Sequence, residues 1–377
     1  MYVAFTRSYY FSLLSFSPEQ HFLLLNVKNH GMKKEWLREL DYFRGFAILG
    51  VIAIHSFCLP PPSLLKYYED YQYSPINDLI LQTITSFMAF AIPLFILISG
   101  IALAYNYNDK ISFIDFYKKR LLRIIPPYIF ISLISIFSLG LLNQIPSIDS
   151  IIFKLLTGTA SDPLWFVVLI IQLYLIFPFI FIEILRLQRE SSIFFRIFPA
   201  IALLIQIIWT LYVLPIRFII PFFASYFFYF VIGIYFGIFY KETLFRIRML
   251  PVLVPLVFSL GSFLLIFLKW NEPILWVPLS LIFNISTIIL IIKLTLAIIE
   301  QNFSLGSFIR DIGVISFGVY LINPFFVYIF WILLSKSSIN PSNFIYFPLI
   351  FLLLVISSVL SIKILMRIPY HKWLIGV

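Results

Sequence analysis

Long apolar stretches separated by short polar segments make up most of the chain. A helix that crosses a bilayer needs about 20 mainly apolar residues, and ten stretches meet this length. Their apolar positions run continuously rather than alternating with polar ones, so they favour helices over the strands of a membrane barrel. The predicted spans are residues 42–60, 79–106, 122–143, 163–185, 197–214, 219–239, 251–268, 274–293, 313–334 and 344–364. We therefore predict an all-α polytopic membrane bundle of about ten transmembrane helices.

The basic residues of the polar segments indicate how these spans are oriented. Lys and Arg accumulate in the cytoplasmic loops of membrane proteins. If both termini are cytoplasmic, 22 of the 27 Lys and Arg residues fall in cytoplasmic segments. The basic residues that remain outside are Lys66, Lys154, Arg217, Lys269 and Lys336. The pattern predicts a multi-pass protein of the cell membrane with both termini cytoplasmic.

Composition agrees with this prediction and excludes a soluble protein. Of the 377 residues, 62% are hydrophobic, and the mean hydropathy is +1.01, well above that of soluble domains. Basic loops that face anionic lipid explain the net charge of +10, so we expect no nucleic-acid partner. The single cysteine, Cys58, excludes an intramolecular disulfide and a cysteine-rich metal or iron–sulfur site.

The first 31 residues differ from the rest of the chain. They are apolar but are interrupted by Pro18 and His21, and they lack a clean signal-peptide cleavage site. Two interpretations stay open. Either Met32 is the biological start, or residues 1–31 form a short amphipathic segment on the inner leaflet. In both cases we expect one membrane domain over residues 32–377.

One ionisable side chain lies deep inside a predicted span. Such groups are costly within a bilayer and are therefore candidates for function. Setting tyrosines and Cys58 aside, that residue is His55. Arg44 comes 11 positions earlier, which is about three helical turns, so both side chains project from one face about 16 Å apart. That face would join a cytoplasmic cation to a buried base. The alternative is that Arg44 only anchors the helix and a neighbouring carbonyl satisfies His55.

A pair of arginines precedes the third span. The segment FYKKRLLRIIPPY contains Arg120 and Arg123, which are three residues apart and share a helix face. Pro126 and Pro127 kink the helix entry and open space beside it. Each guanidinium group is a planar, permanently charged donor fork that suits phosphate. The segment therefore predicts phosphate binding, with ordinary anchoring at the inner leaflet as the alternative.

Three shorter motifs put polar and aromatic side chains within spans. FILISGIALAY puts Ser99 in the inner half of the second span, where small residues allow close packing or a thin ligand. DPLWFVVLIIQLY puts Trp165 at the outer mouth of the fourth span, where an interfacial aromatic belt is the alternative. SFGVYLINPFF puts Tyr320 and Asn323 along the ninth span, before Pro324 interrupts its backbone hydrogen bonding. Each motif is a weak signal by itself.

Taken in this order, the motifs resemble integral-membrane acyltransferase family 3, whose members acylate cell-surface glycans and other extracytoplasmic acceptors. LDYFRGFAILGVIAIH has the family's first-helix pattern, an Arg followed after ten residues by a His. The resemblance continues through PLFILISGIALAY, the R-x-x-R of FYKKRLLRIIPPY, PLWF and SFGVYLINPFF, and it covers residues 39–335. Many relatives have a His where this chain has Asn323, and an Asn cannot act as a base near neutral pH.

The resemblance implies an O-acyltransferase that moves an acyl group, commonly acetyl, from cytoplasmic acyl-CoA to a hydroxyl of an extracytoplasmic glycan. It implies that His55 is the catalytic base and that Arg44 belongs to the same essential pair. Arg120 and Arg123 would bind the phosphates of coenzyme A, with Ser99 beside the donor. Acyl-CoA is then a substrate, and we expect no permanently bound cofactor. The candidates for substrate contacts or oxyanion donors are Trp165, Tyr320 and Asn323.

A transporter or flippase of a lipid-linked or polymeric glycan is the second hypothesis. A proton-coupled carrier usually needs carboxylates within the membrane, and no predicted span has Asp or Glu near its middle. A non-catalytic scaffold would leave the buried His55 unexplained. We predict no metal site, since the chain has no HExxH motif and no second intramembrane histidine. A sugar hydroxyl, a lipid-linked oligosaccharide and peptidoglycan all remain open as acceptors.

Overall fold

A computed structural model gives the fold of most of the chain. The residues it describes are 37–57, 75–107, 111–140, 146–212, 222–268, 272–301, 303–335 and 346–376. Within these ranges the protein is 91% helical and contains no strand, which confirms the all-α prediction. Arg38–Val377 form one compact unit. The interpretations of residues 1–31 and of Met32 concern a segment outside the described residues.

Fifteen α-helices lie in the described part of the chain. In its first half they are α1 Arg38–Phe57, α2 Pro75–Phe87, α3 Ala91–Asn106, α4 Phe113–Gly140, α5 Ile148–Thr157, α6 Trp165–Glu190 and α7 Ser192–Tyr212. In its second half they are α8 Phe227–Ile238, α9 Tyr240–Met249, α10 Leu253–Leu268, α11 Pro273–Gln301, α12 Ser304–Val314, α13 Ser316–Ser335, α14 Phe347–Leu365 and α15 His371–Ile375.

Seven of the described helices are long and apolar enough to cross a membrane. The number becomes eight if α8 and α9, which meet at an angle of 102°, are counted as one broken span. α1 and α10 also coincide with predicted spans, but α1 begins with charged residues and α10 has only 16 residues. The prediction of a helical membrane bundle is confirmed. The count of ten and the cytoplasmic side of the termini stay predictions.

α1 occupies the centre of the bundle, where it packs against α2, α3, α11, α12, α13 and α14. A helix that is apolar on nearly all sides is expected to be buried in this way. α12 approaches α1 closely at Gly313, where an added Cβ would lie 1.7 Å from the backbone oxygen of Asp41. The fully enclosed apolar side chains of α1 are Phe43, Ala47, Ile48 and Ile52.

α3 and α8 cross at glycines. An added Cβ on Gly100 would lie 2.5 Å from the carbonyl oxygen of Phe230, and one on Gly233 would lie 2.3 Å from that of Leu97. The two backbones are therefore in direct contact, which is a common way for membrane helices to associate. This crossing fixes α3, and with it Ser99, against the rest of the bundle.

Gly233→Ala is expected to lower the free energy of unfolding by about 1–3 kcal/mol, because its Cβ must push a backbone aside. Gly261→Ala is the matched control, since nothing lies within 4 Å of its added Cβ and alanine is the better helix former. Thermal unfolding of the two purified variants in one detergent checks this. Equal unfolding temperatures for the two variants would contradict the described crossing.

Candidate functional site

The last turn of α1 carries His55, which contacts a residue of another helix. Its Nδ1 lies 2.7 Å from Oδ1 of Asn323 in α13. Asn323 is fully buried, and its amide nitrogen donates a hydrogen bond of 3.4 Å to the hydroxyl of Ser358 in α14. The contacts of these three residues connect α1, α13 and α14 at one point in the membrane bundle.

Arg44 begins the same face of α1 and forms an ion pair within its own helix. Its guanidinium group lies 2.9 Å from the carboxylate of Asp41, one turn earlier. Asp41 is 2% exposed, whereas the Arg44 side chain is 30% exposed. The acidic partner is therefore held in the interior, and the cation has access to the surface. α1 is continuous from Arg38 to Phe57, so the predicted spacing of about three turns to His55 is retained.

Arg44 belongs to a cluster with the two predicted phosphate ligands. The charges of Arg44 and Arg120 both act on Arg123, so each of these two guanidinium groups lies in the neighbourhood of Arg123. The Arg120 guanidinium lies over the ring of Tyr107, 5.7 Å from its centroid, and its buried Nε has no hydrogen-bond partner among the described residues. Such a concentration of positive charge attracts a polyanion. We define these three residues as the arginine cluster.

The end of the chain also reaches the arginine cluster. Nε of Arg123 donates a hydrogen bond of 3.0 Å to the carbonyl oxygen of Gly376, which follows the short helix α15. Gly376 has a φ of +68°, a left-handed conformation that favours glycine. Ile375 is buried, which holds this segment against α4 and α13. One of the nitrogen donors of Arg123, Nε, is thus bonded within the protein.

An aromatic group connects the other predicted residues to this region. Tyr320 lies one turn before Asn323 on α13, and its ring meets Phe166 edge to face at 5.5 Å. Phe166 meets Trp165 in the same way at 6.2 Å. Trp165 in turn stacks on Tyr226 at 6.2 Å. The structure thus places Trp165 and Tyr320 in one aromatic group, and Tyr320 lies one helical turn from the Asn323 that contacts His55.

The predicted donors already use hydrogens within the protein. The hydroxyl of Tyr320 donates to the carbonyl oxygen of Pro163. The hydroxyl of Ser99 donates to the carbonyl oxygen of Phe95 in its own helix at 2.9 Å, a common arrangement for serine within a helix. A hydroxyl has one hydrogen to give, so neither can also donate to an oxyanion in this conformation. The oxyanion role stays a prediction, as does donor binding by Ser99.

Sequence reasoning missed two residues of this site. Ser358 lies in the last predicted span, and nothing in the surrounding LLLVISSVLSIKIL separates it from the serine beside it. Gly376 lies far from the arginine segment in the chain, and no local pattern indicates that the two meet. The ion pair of Asp41 with Arg44 could have been predicted, because Asp41 precedes Arg44 by three residues on the same helix face.

Most of the chain matches a known protein family. A family model described as an acyltransferase domain, Acyl_transf_3, matches residues 37–363. This range includes every predicted site residue of α1, α3, α4, α6 and α13, and it also includes Ser358. No curated protein and no solved structure matched the chain.

Tyr320→Phe keeps the ring but leaves the carbonyl oxygen of Pro163 without its donor. We expect the free energy of unfolding to fall by about 1–3 kcal/mol, the cost of an unsatisfied buried polar group. Tyr212→Phe is the control, because Tyr212 is 80% exposed. Thermal unfolding of both variants checks this. An unchanged stability of Tyr320→Phe would mean that the hydroxyl of Tyr320 does not stabilise the fold.

Proposed function

We propose, from the premise that this chain belongs to acyltransferase family 3, that it moves an acyl group from cytoplasmic acyl-CoA to a hydroxyl of an extracytoplasmic glycan. Acetyl is the simplest acyl group for this role. The protein would act in the cell membrane with both termini cytoplasmic. The observation that carries the proposal is the contact of 2.7 Å between His55 and Asn323 inside a helical membrane bundle.

In this proposal Nε2 of His55 is the nitrogen that acts as the base, because Nδ1 is the nitrogen that faces Asn323. An amide oxygen only accepts hydrogen bonds, so Nδ1 of His55 carries the hydrogen and donates it to Oδ1 of Asn323. In the neutral ring the lone pair is then on Nε2. Asn323 is a positioning residue in this proposal, and the bond from its amide to Ser358 holds its side chain in turn. This role needs no proton transfer by Asn323, so it is compatible with the absence of a second histidine there.

The reaction then follows with every bond and proton accounted for. Nε2 of His55 takes the proton of the acceptor hydroxyl as its oxygen attacks the thioester carbonyl. The carbon–oxygen bond of the new ester forms and the carbon–sulfur bond breaks. The imidazolium returns its proton to the departing thiolate of coenzyme A. A positioned base contributes about 10²–10⁴-fold to the rate.

The arginine cluster gives the donor its place in this proposal. Coenzyme A carries several phosphate charges and cannot enter lipid, so its nucleotide must stay at the membrane surface. In this proposal Arg44, Arg120 and Arg123 are the cations that the phosphates contact at that surface. From there to His55 is about 16 Å along α1, a distance that the long, thin pantetheine arm is suited to cover. The thioester would meet the acceptor hydroxyl at the imidazole.

His55→Gln is expected to lower transfer by about 10²–10⁴-fold, since it removes the base and retains the side-chain size. The assay is acetyl-CoA-dependent labelling of glycan material by membranes that express the chain, at matched protein levels. Unchanged labelling in His55→Gln would contradict the assignment of the base. A wild-type chain that transfers none of several acyl groups would contradict the transferase proposal and favour the transporter hypothesis.

Ser358→Ala is expected to lower kcat without changing KM, because it releases Asn323 and so loosens His55. Ser357→Ala is a matched control: the neighbouring hydroxyl bonds to its own helix at the carbonyl oxygen of Leu353. Ser358→Thr keeps a hydroxyl and should restore much of the activity. The same labelling assay, run over acyl-CoA concentration, separates kcat from KM. An equal effect of the two alanine variants would exclude a positioning role for Ser358.

Arg120→Gln and Arg123→Gln are each expected to raise the KM for acetyl-CoA about fivefold or more, because each removes a cation that a phosphate would contact. The increase should shrink as salt is added, since screening weakens the remaining attraction. Arg196→Gln on the exposed surface of α7 is the control. If its KM rises as much as those of the other two variants, the arginine cluster has no special role in donor binding.

A further inference from the structure

A cavity of about 770 Å³ lies on the side of α1 that faces away from His55. Phe46, Leu49 and Ala53 contribute the α1 wall. Ala53 is two residues before His55, which turns its side chain by about 200° around the helix axis. The volume falls within the range of about 300–1,000 Å³ that is usual for ligand pockets. The proposed acyl transfer makes no use of this space.

The wall of the cavity is apolar except at one end. α11 contributes Leu290, Ile291 and Ala297 to it, and Phe87 and Phe351 are among the aromatic side chains of the wall. The hydroxyl of Thr287 also reaches the wall, but it is paired at 2.7 Å with a serine of α10. An apolar wall of this kind suits a hydrocarbon chain.

Charged side chains are confined to the other end, where Arg248, Lys293 and Glu300 line the cavity. Arg248 is paired with Glu300, and their side chains are 58% and 50% exposed. Nζ of Lys293 donates to three carbonyl oxygens at the end of α9, those of Ile247, Arg248 and Leu250, at 3.0, 2.9 and 2.7 Å. All three hydrogens on Nζ of Lys293 are thus bonded to carbonyl oxygens of the protein. Two cations and one carboxylate leave this end with a net charge of +1.

We propose that this cavity binds one anionic glycerophospholipid of the surrounding bilayer. An acyl chain fills the apolar part of the cavity. The phosphate lies at Arg248, whose exposed guanidinium group can contact the phosphate while it remains paired with Glu300. A single phosphodiester charge balances the net charge of this end. Lys293 contributes through its charge alone. The proposal does not depend on acyl transfer.

The position of α9 supports a ligand that comes from the bilayer. α9 turns by 102° from α8, so it cannot run along the direction of a spanning helix. Its Phe245 and Met249 are more than half exposed, next to the basic residues Arg246 and Arg248. An amphipathic helix with this composition lies at the level of lipid headgroups. The charged end of the cavity therefore opens where phospholipid phosphates are found.

The test uses the full chain, purified in detergent and freed of lipid, then titrated with phosphatidylglycerol or phosphatidylcholine and examined by native mass spectrometry. We expect one molecule of phosphatidylglycerol to be retained at concentrations at which phosphatidylcholine is lost. Equal retention of the two lipids would overturn the assignment of an anionic headgroup.

Two variants with matched controls locate the bound lipid. Arg248→Gln should weaken phosphatidylglycerol binding about fivefold, whereas Arg246→Gln, on the same helix but paired with Glu242 outside the cavity, should not. Ala297→Phe should abolish binding, because the added ring occupies cavity space between Lys293 and Glu300. Ile285→Phe, on the exposed surface of α11, is the control for added size.

The outcomes separate this proposal from the proposed function. If Arg248→Gln and Ala297→Phe both retain phosphatidylglycerol as well as the wild-type chain does, the lipid binds elsewhere on the protein, which overturns the proposal. A rise in the KM for acetyl-CoA in Ala297→Phe would instead assign the cavity to the acyl donor and overturn it as well. Loss of lipid with an unchanged KM supports the lipid site, whatever the acyl acceptor is.

Discussion

A polar group enclosed in a membrane bundle must find a partner within the protein, because neither water nor lipid can solvate it there. α1 bears most of this constraint, since six other α-helices contact it and it still carries Asp41, Arg44 and His55. Asp41 is paired with Arg44 one turn away, and His55 with Asn323 of α13. Because Asn323 belongs to another helix, its contact with His55 constrains how α1 is rotated and how deep it lies.

Apolar packing alone would not define that arrangement. The hydrophobic effect is non-directional, and this bundle presents nearly the same side chains in many rotations of its helices. The bonds from His55 to Asn323 and from Asn323 to Ser358 act at one depth and in one direction. Glycines then allow the backbones to approach, as at Gly313 beside α1. Close contact and directed hydrogen bonds together select one packing.

The same central helix separates two environments. On one face α1 presents Arg44 and His55, toward the helices that carry the arginine cluster and Asn323. On the opposite face Phe46 and Ala53 border an apolar cavity. This division follows from the helical period, because residues two positions apart point to opposite sides. The two faces of α1 therefore border different surroundings, with Arg44 and His55 on one face and the apolar cavity wall on the other.

The sequence by itself determined the helical class, the positions of most spans, the common face of Arg44 and His55, and the pairing of Arg120 with Arg123. These are local properties, because they follow from the length of apolar stretches and from the spacing of residues along a helix. Only the tertiary structure decided that Asn323 holds His55, that Ser358 holds Asn323, and that the Tyr320 hydroxyl is already engaged. These contacts join residues as far as 268 positions apart. They depend on the rotation and depth of whole helices, which no local pattern records.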